Sequence, residues 1–189
     1  INQIIVVNVL GLSIFGLYAF YLNIPSFLLL LITQGRNEAL FRLLPDYKKR
    51  FPENIQPIIN ISFLLNLFWT IIIISIFFIA SDSFFQLFNI TLSSVLIRNL
   101  LILIVIARVL IAPFSVFLNI NYDNLFLNSI DLAANIISIV GFYLLFFSSE
   151  LGVAGLLIVL AIVDWARTIA YLFRYIQLNK ITFSWTLPK

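Results

Sequence analysis

The sequence of 189 residues contains no cysteine, no histidine and no methionine, and only 10% of its residues are charged. Without cysteine there is no disulfide framework, zinc finger or cysteine nucleophile, and without histidine there is no imidazole chemistry. The GxxxxGK(S/T) loop that holds nucleotide phosphates does not occur either. We therefore expect a protein that is not an enzyme and that binds no metal and no cofactor.

Apolar residues dominate the composition. They make up 62% of the chain, and the mean hydropathy is +1.12. A soluble domain has about 45–50% apolar and about 25% charged residues, so these values exclude a soluble fold. Because a membrane-spanning helix needs about 20 mostly apolar residues, the sequence predicts an all-α, polytopic membrane helix bundle with about five transmembrane helices. The lipid bilayer is its first expected partner.

The predicted spans form a single transmembrane bundle. A polar connector at 34–56 separates the first two spans, and its leucines share one helical face, which predicts an amphipathic helix in the headgroup region that ends at Pro45. The stretch 81–94 is predicted to be a loop. The apolar runs themselves lie at about 4–33, 57–80, 95–118, 125–147 and 152–176.

The distribution of basic residues predicts the orientation of the bundle. Lysine and arginine number 11 against 8 acidic residues, and they cluster in the 34–56 connector and in the tail that contains Arg174 and Lys180. The loops near 81–94, 119–124 and 148–151 contain no lysine or arginine. Four spans, an even number, separate the two basic regions, so both lie on one side, and the positive-inside rule makes that side cytoplasmic. The basic excess thus indicates orientation and no nucleic-acid partner.

Several ionisable residues fall inside the predicted spans, where each costs about 2.5–3.5 kcal/mol unless it is paired or faces water. Asp131 and Asn135 share one face of the fourth span, and Asp164 and Arg167 share one face of the fifth, which predicts a polar seam between helices. The alternative is that these groups only pair with one another and hold the bundle together. The residues at depth are Arg108, Asp131, Asp164 and Arg167, with Arg98 closer to an outer end.

Short motifs add a resemblance to a known family. The connector contains RLLPDYKKRF, the loop after the second span contains FFQLFNI, and LGVAG at 151–155 opens the last span. This layout, over about residues 11–178, resembles one half of a polysaccharide flippase, the group of the multidrug/oligosaccharidyl-lipid/polysaccharide exporter superfamily that translocates O-antigen and capsule repeat units. In that family a similar glycine motif opens the last span of each six-helix half, and a proline lies near the start of the cytoplasmic connector, as Pro45 does here.

The resemblance implies a function in the bacterial inner membrane with a cytoplasmic C-terminus. The chain would flip polyprenyl-pyrophosphate-linked oligosaccharides for lipopolysaccharide or capsule synthesis by alternating access, with a polysaccharide polymerase as a candidate partner. By position, the substrate-binding residues would be Arg98, Arg108 and Arg167. The groups for ion coupling or charge pairing would be Asp131, Asp164 and Asn135. Two alternatives stay open: a drug/cation antiporter of the same superfamily, and a membrane scaffold subunit that transports nothing.

The resemblance also bears on the extent of the chain. A family member has about twelve or more spans in two halves, whereas about five are predicted here. The chain begins with Ile1 and contains no methionine. We expect it to be a fragment of a larger transporter, consisting of the last five helices of one half.

Overall fold

A computed structural model of the chain describes residues 12–87, 95–121, 123–148 and 152–179. Within these ranges the fold is entirely helical, which confirms the predicted all-α class. A single 3-10 turn, Pro52–Asn54, joins the second and third helices. In chain order the helices are α1 (Leu12–Thr33), α2 (Arg36–Arg50), α3 (Ile55–Leu87), α4 (Val95–Ile120), α5 (Asn124–Ser148) and α6 (Gly152–Asn179).

Five of these helices, all except α2, are long and apolar enough to cross a membrane. The chain is therefore a multi-pass membrane protein by the length and composition of its helices. The five candidate spans overlap the five predicted ones, although residues 4–11 of the first predicted span lie outside the described residues. The spans are Phe15–Thr33, Ile55–Ser83, Val95–Ile120, Asn124–Leu144 and Gly152–Leu178.

Helix α4 lies at the centre of the bundle. It packs against α1, α3 and α6, and α5 packs mainly against α6. Leu101, Ile104 and Val105 on α4 are completely buried. Large apolar side chains on the outer helices point away from the bundle, as Ile79 at 83% and Leu125 at 85% exposure illustrate. This distribution is typical of a bundle whose outer surface faces lipid.

Helix α1 crosses the bundle obliquely. Near its start, the ring of Tyr18 packs edge-to-face against Phe142 of α5, with the ring centroids 6.2 Å apart. At its end, Gln34 and Gly35 adopt positive φ angles of 48° and 75°, and the chain turns into α2, whose first residue, Arg36, contacts α3. This path takes α1 from the α5 side of the bundle to the α3 side.

One end of the bundle, which we call the connector end, contains α2, the turn between α4 and α5, and the last turns of α6. Leu44, Ile55, Phe117 and Tyr175 pack there in one apolar cluster. The Lys48 ammonium donates hydrogen bonds to the carbonyl oxygen of Ile120 at 3.1 Å and to the Asn121 side-chain oxygen at 2.8 Å. The basic connector and the end of α6 therefore lie at the same end of the bundle. The opposite end is called the far end.

The prediction that Pro45 ends the amphipathic helix is wrong, because α2 continues to Arg50. Proline removes one backbone hydrogen bond, but contacts on both sides of it hold the helix in place. Leu44 before it is 1% exposed, and Lys48 after it is hydrogen-bonded to the turn after α4. Tertiary contacts therefore outweigh the local cost of the proline.

The loop predicted at 81–94 is wrong for residues 81–87, because α3 continues to Leu87 through the polar sequence Ser-Asp-Ser; residues 88–94 lie outside the described residues. Phe85 explains the extension: it is 1% exposed and packs against the rings of Tyr21 and Phe77. The Ser81 hydroxyl donates back to the carbonyl oxygen of Phe78 at 3.2 Å, so its polar group is satisfied within the helix. Burial of one aromatic ring thus adds about two turns to α3.

The close packing of α5 against α6 at Gly141 can be tested by substitution. A Cβ atom on Gly141 would lie 2.8 Å from Val159 Cγ1, whereas a Cβ on Gly16 would meet nothing within 4 Å. Overpacking costs about 1–3 kcal/mol, so we expect Gly141→Ala to lower the thermal unfolding temperature of the purified protein in detergent. The matched control, Gly16→Ala, should leave it unchanged or raise it slightly, since alanine favours a helix.

Adding Val159→Ala to Gly141→Ala removes both methyl groups that cause the clash. The double variant should therefore be more stable than Gly141→Ala alone. Equal unfolding temperatures for wild type and Gly141→Ala would contradict the packing described here.

Candidate functional site

Four charged side chains from three helices form one connected group, which we call the charge network: Arg108, Asp131, Asp164 and Arg167. Arg108 Nε donates to Asp164 Oδ2 at 2.8 Å. Arg167 Nη1 lies 3.7 Å from Asp164 Oδ1, and Arg167 Nη2 donates to Asp131 Oδ1 at 2.5 Å. With two arginines and two aspartates, the charge network is formally neutral.

Helix α6 joins the two halves of the charge network. Asp164 and Arg167 are three residues apart, so their side chains are separated by about 60° around the helix axis. Asp164 reaches Arg108 on α4, and Arg167 reaches Asp131 on α5. One turn of α6 thus presents an acid to one neighbour and a base to the other.

Two neutral hydroxyl groups support the charge network. The Thr168 hydroxyl lies 3.0 Å from the Ala107 carbonyl oxygen on α4 and 2.8 Å from the Asp164 carbonyl oxygen. The Tyr171 hydroxyl donates to Asp131 Oδ1 at 2.9 Å. Neither Thr168 nor Tyr171 is among the site residues predicted from the sequence. Their spacing was the available signal, because Thr168 follows Asp164 by four residues and Tyr171 follows Arg167 by four, on the same faces of α6.

The charge network opens toward α5. The side-chain exposure rises from 9% for Asp164 to 27% for Arg108, 33% for Arg167 and 42% for Asp131. Arg108 lies near the middle of α4, half-way along a membrane-spanning helix. Partly exposed charges at that depth are costly in hydrocarbon, so the open side of the charge network faces water or another protein surface.

A further ion pair lies closer to the connector end. Arg174 Nε donates to Asp123 Oδ2 at 2.6 Å, and the Arg174 guanidinium lies 5.5 Å from the centroid of the Phe126 ring. Together with the charge network, this pair makes a polar stripe along α6 of the kind that the sequence spacing predicts. It joins α6 to the start of α5.

Two of the six predicted site residues lie apart from the charge network. Arg98 lies near the far end, with its guanidinium carbon 4.2 Å from the centroid of the Phe78 ring. The side chain of Asn135 is exposed on α5, and within the described ranges it makes no side-chain hydrogen bond. The structure therefore brings together Arg108, Arg167, Asp131 and Asp164, and it separates Arg98 and Asn135 from them.

A second polar cluster lies on the other side of α4, where α3 faces the start of α2. Arg36 Nε and Nη2 donate to Asn66 Oδ1 at 3.2 Å and 2.9 Å, and Arg36 Nη2 also contacts the carbonyl oxygen of Ile32. Asn66 is completely buried. Partial burial lowers the pKa of Arg36. The cluster fixes the turn between α1 and α2 against α3.

Among the described residues, no three acidic side chains lie close enough together to hold a metal ion. Both carboxylates of the charge network are instead bound by arginine. The charged groups of the site are therefore engaged in ion pairs with one another.

No known family model matches the chain, and comparisons with curated proteins and with solved structures find no significant match.

The pairing of Asp164 with Arg108 predicts a specific pattern of stability. Asp164→Asn leaves Arg108 without a carboxylate, and breaking one side of a buried ion pair costs about 3 kcal/mol or more. The double variant Arg108→Gln/Asp164→Asn removes both charges and should recover most of that loss. Thermal unfolding of purified protein in detergent measures both variants, and a double variant no more stable than Asp164→Asn would contradict the pairing.

Proposed function

We propose that the chain is part of a flippase that moves polyprenyl-pyrophosphate-linked oligosaccharides across the bacterial inner membrane. The proposal starts from the resemblance in span layout and motifs. The observation that carries it is the charge network, which holds two arginines about half-way through the bundle and leaves them open on the α5 side. Alternating-access transporters bind their cargo near the middle of the membrane, which is the depth of these arginines.

The chemistry of the two arginines fits a diphosphate. A guanidinium offers a planar fork that binds phosphate oxygens with two charge-assisted hydrogen bonds. Asp131 is the most exposed member of the charge network, and Arg167 Nε is buried with no hydrogen-bond partner. A diphosphate that enters from the α5 side meets Asp131 first, displaces it from Arg167, and takes its place.

Displacement of Asp131 has a second consequence in this proposal. A carboxylate released from its arginine at membrane depth is costly, so it takes up a proton or a cation. Substrate binding on Arg167 and ion uptake on Asp131 then occur together, and the Arg167–Asp131 ion pair is the state without substrate. This exchange would link transport to an ion gradient.

One observation favours a second candidate function, a scaffold subunit that transports nothing. Every charge in the charge network has its opposite within the chain, so the network is complete without a ligand. A drug/cation antiporter is less well supported, because the described site contains as many arginines as carboxylates. A flippase needs the charged arginines to bind substrate, whereas a scaffold needs only that the buried side chains leave no unbalanced charge. The two leading candidates differ in this requirement.

Paired neutral variants separate these candidates. Arg108→Gln/Asp164→Asn and Arg167→Gln/Asp131→Asn each remove one ion pair, keep the net charge and leave the other pair intact. We expect each to reduce surface polysaccharide at least tenfold in cells that carry the variant in place of the natural gene, because the arginine that binds diphosphate is lost. Polysaccharide is measured per cell and normalised to the amount of protein in the membrane.

The matched control is Arg174→Gln/Asp123→Asn, which removes the ion pair nearer the connector end. It should retain near-normal polysaccharide. Normal polysaccharide with both charge-network variants would contradict the flippase proposal and favour the scaffold.

The proposed orientation, with the connector end in the cytoplasm, has its own test. The natural chain has no cysteine, so single cysteines can be introduced directly at exposed positions. Asp46→Cys on α2 should be protected from a membrane-impermeant thiol reagent in intact cells, and Gln86→Cys at the end of α3 should react. Both should react after the membrane is permeabilised, and the reverse labelling pattern in intact cells would overturn the orientation.

A further inference from the structure

Arg98 lies near the far end, where its guanidinium carries a positive charge. No aspartate or glutamate oxygen of the described residues lies within 4.0 Å of it, whereas the other three arginines on the spanning helices form ion pairs. Its Nε is buried and has no hydrogen-bond partner. The guanidinium carbon lies 4.2 Å from the centroid of the Phe78 ring. Within the described ranges, the guanidinium is therefore held against an aromatic face and has no carboxylate partner.

Phe78 also lines a groove on the outside of the bundle, between α3 and α4. The groove has a volume of about 670 Å³ and is open along one side. Asn99, which follows Arg98 in the chain, supplies the main polar group near its far-end rim. The lining side chains are Ile74, Ser75, Phe78, Ile79, Asn99, Ile102 and Leu103.

The groove has a polar end and an apolar end. Arg98 and Asn99 belong to the first turn and a half of α4, which begins at Val95 at the far end. Ile102 and Leu103 lie one turn deeper, and they line the groove together with Ile74 and the single hydroxyl of Ser75 on α3. A molecule with an anionic head and an alkyl chain matches this order, because its head would lie at the level of Arg98 and its chain would extend toward the middle of the membrane.

We propose that this groove binds an anionic phospholipid of the bilayer. The phosphate lies against the Arg98 guanidinium and the Asn99 amide, and one acyl chain fills the space between α3 and α4. Charge complementarity selects the headgroup, because a guanidinium binds phosphate oxygens strongly. The groove opens on a surface of exposed apolar side chains such as Ile79, at 83% exposure, where the bilayer itself supplies the ligand. In this proposal Arg98 binds a membrane lipid and does not contact a transported substrate.

Native mass spectrometry of the purified chain tests the lipid site. The protein is equilibrated in detergent micelles that contain equal amounts of phosphatidylglycerol and phosphatidylcholine with identical acyl chains. We expect the wild type to retain phosphatidylglycerol in preference to phosphatidylcholine. Arg98→Gln should lower phosphatidylglycerol retention at least threefold and leave phosphatidylcholine retention unchanged.

The matched control is Arg42→Gln, which removes the same charge from an exposed position on α2. It should retain the wild-type preference. Equal loss of phosphatidylglycerol from Arg98→Gln and Arg42→Gln would mean diffuse attraction to a basic protein and would overturn the site. Equal retention of the two lipids by the wild type would overturn it as well.

A second variant tests the groove without changing the charge. Leu103→Trp places a large side chain in the space proposed for the acyl chain and leaves Arg98 in place. It should also lower phosphatidylglycerol retention at least threefold, and unchanged retention would overturn the groove as the site. This result is separate from the polysaccharide measurements, because neither Arg98 nor Leu103 belongs to the charge network.

Discussion

The pairing of charges half-way through the bundle is the constraint on which the arrangement of α4, α5 and α6 depends. Asp164 reaches Arg108 on one neighbour, and Arg167 reaches Asp131 on the other. If α6 moved along either neighbour by one helical turn, about 5.4 Å, the ion pair with that neighbour would be lost. Each of its two charges would then be unpaired at a depth where an unpaired charge costs about 2.5–3.5 kcal/mol. The ion pairs therefore set the register of the three helices.

Close packing acts together with this electrostatic constraint. Lipid is as apolar as a leucine side chain, so burial of apolar surface alone gives membrane helices little reason to associate in one register. The Val159 side chain of α6 packs directly on Gly141 of α5, which has no side chain of its own. On the α4 side, the Thr168 hydroxyl lies 3.0 Å from the Ala107 carbonyl oxygen. These small groups let α6 come near enough to both neighbours for the charged side chains to meet.

The helical class and the number of spans could be predicted from the sequence, because the length of an apolar run is a local property. The continuation of α2 past Pro45 and of α3 to Leu87 could not be predicted, since it depends on Lys48 and Phe85 meeting distant partners. The rotation of each helix about its own axis, which decides which face contacts a neighbour, could not be predicted either. Asn135 shares a face with Asp131 by spacing, yet Asp131 is bound by Arg167 of α6 and the side chain of Asn135 is exposed. The shortest contact of Asp164 is with Arg108, which is 56 residues away in the chain.

That separation has a consequence for how the protein is made. A ribosome adds about 5–20 residues each second, so about 3–11 s pass between synthesis of Arg108 and synthesis of its acidic partner. During that interval α4 carries an unpaired guanidinium into the translocation machinery. The Asp131 carboxylate likewise has no Arg167 to bind until the 36 residues that separate them have been synthesised. Because Asp164 and Arg167 both lie on α6, neither of these ion pairs can form before α6 emerges, and α4, α5 and α6 reach their paired arrangement in one late step.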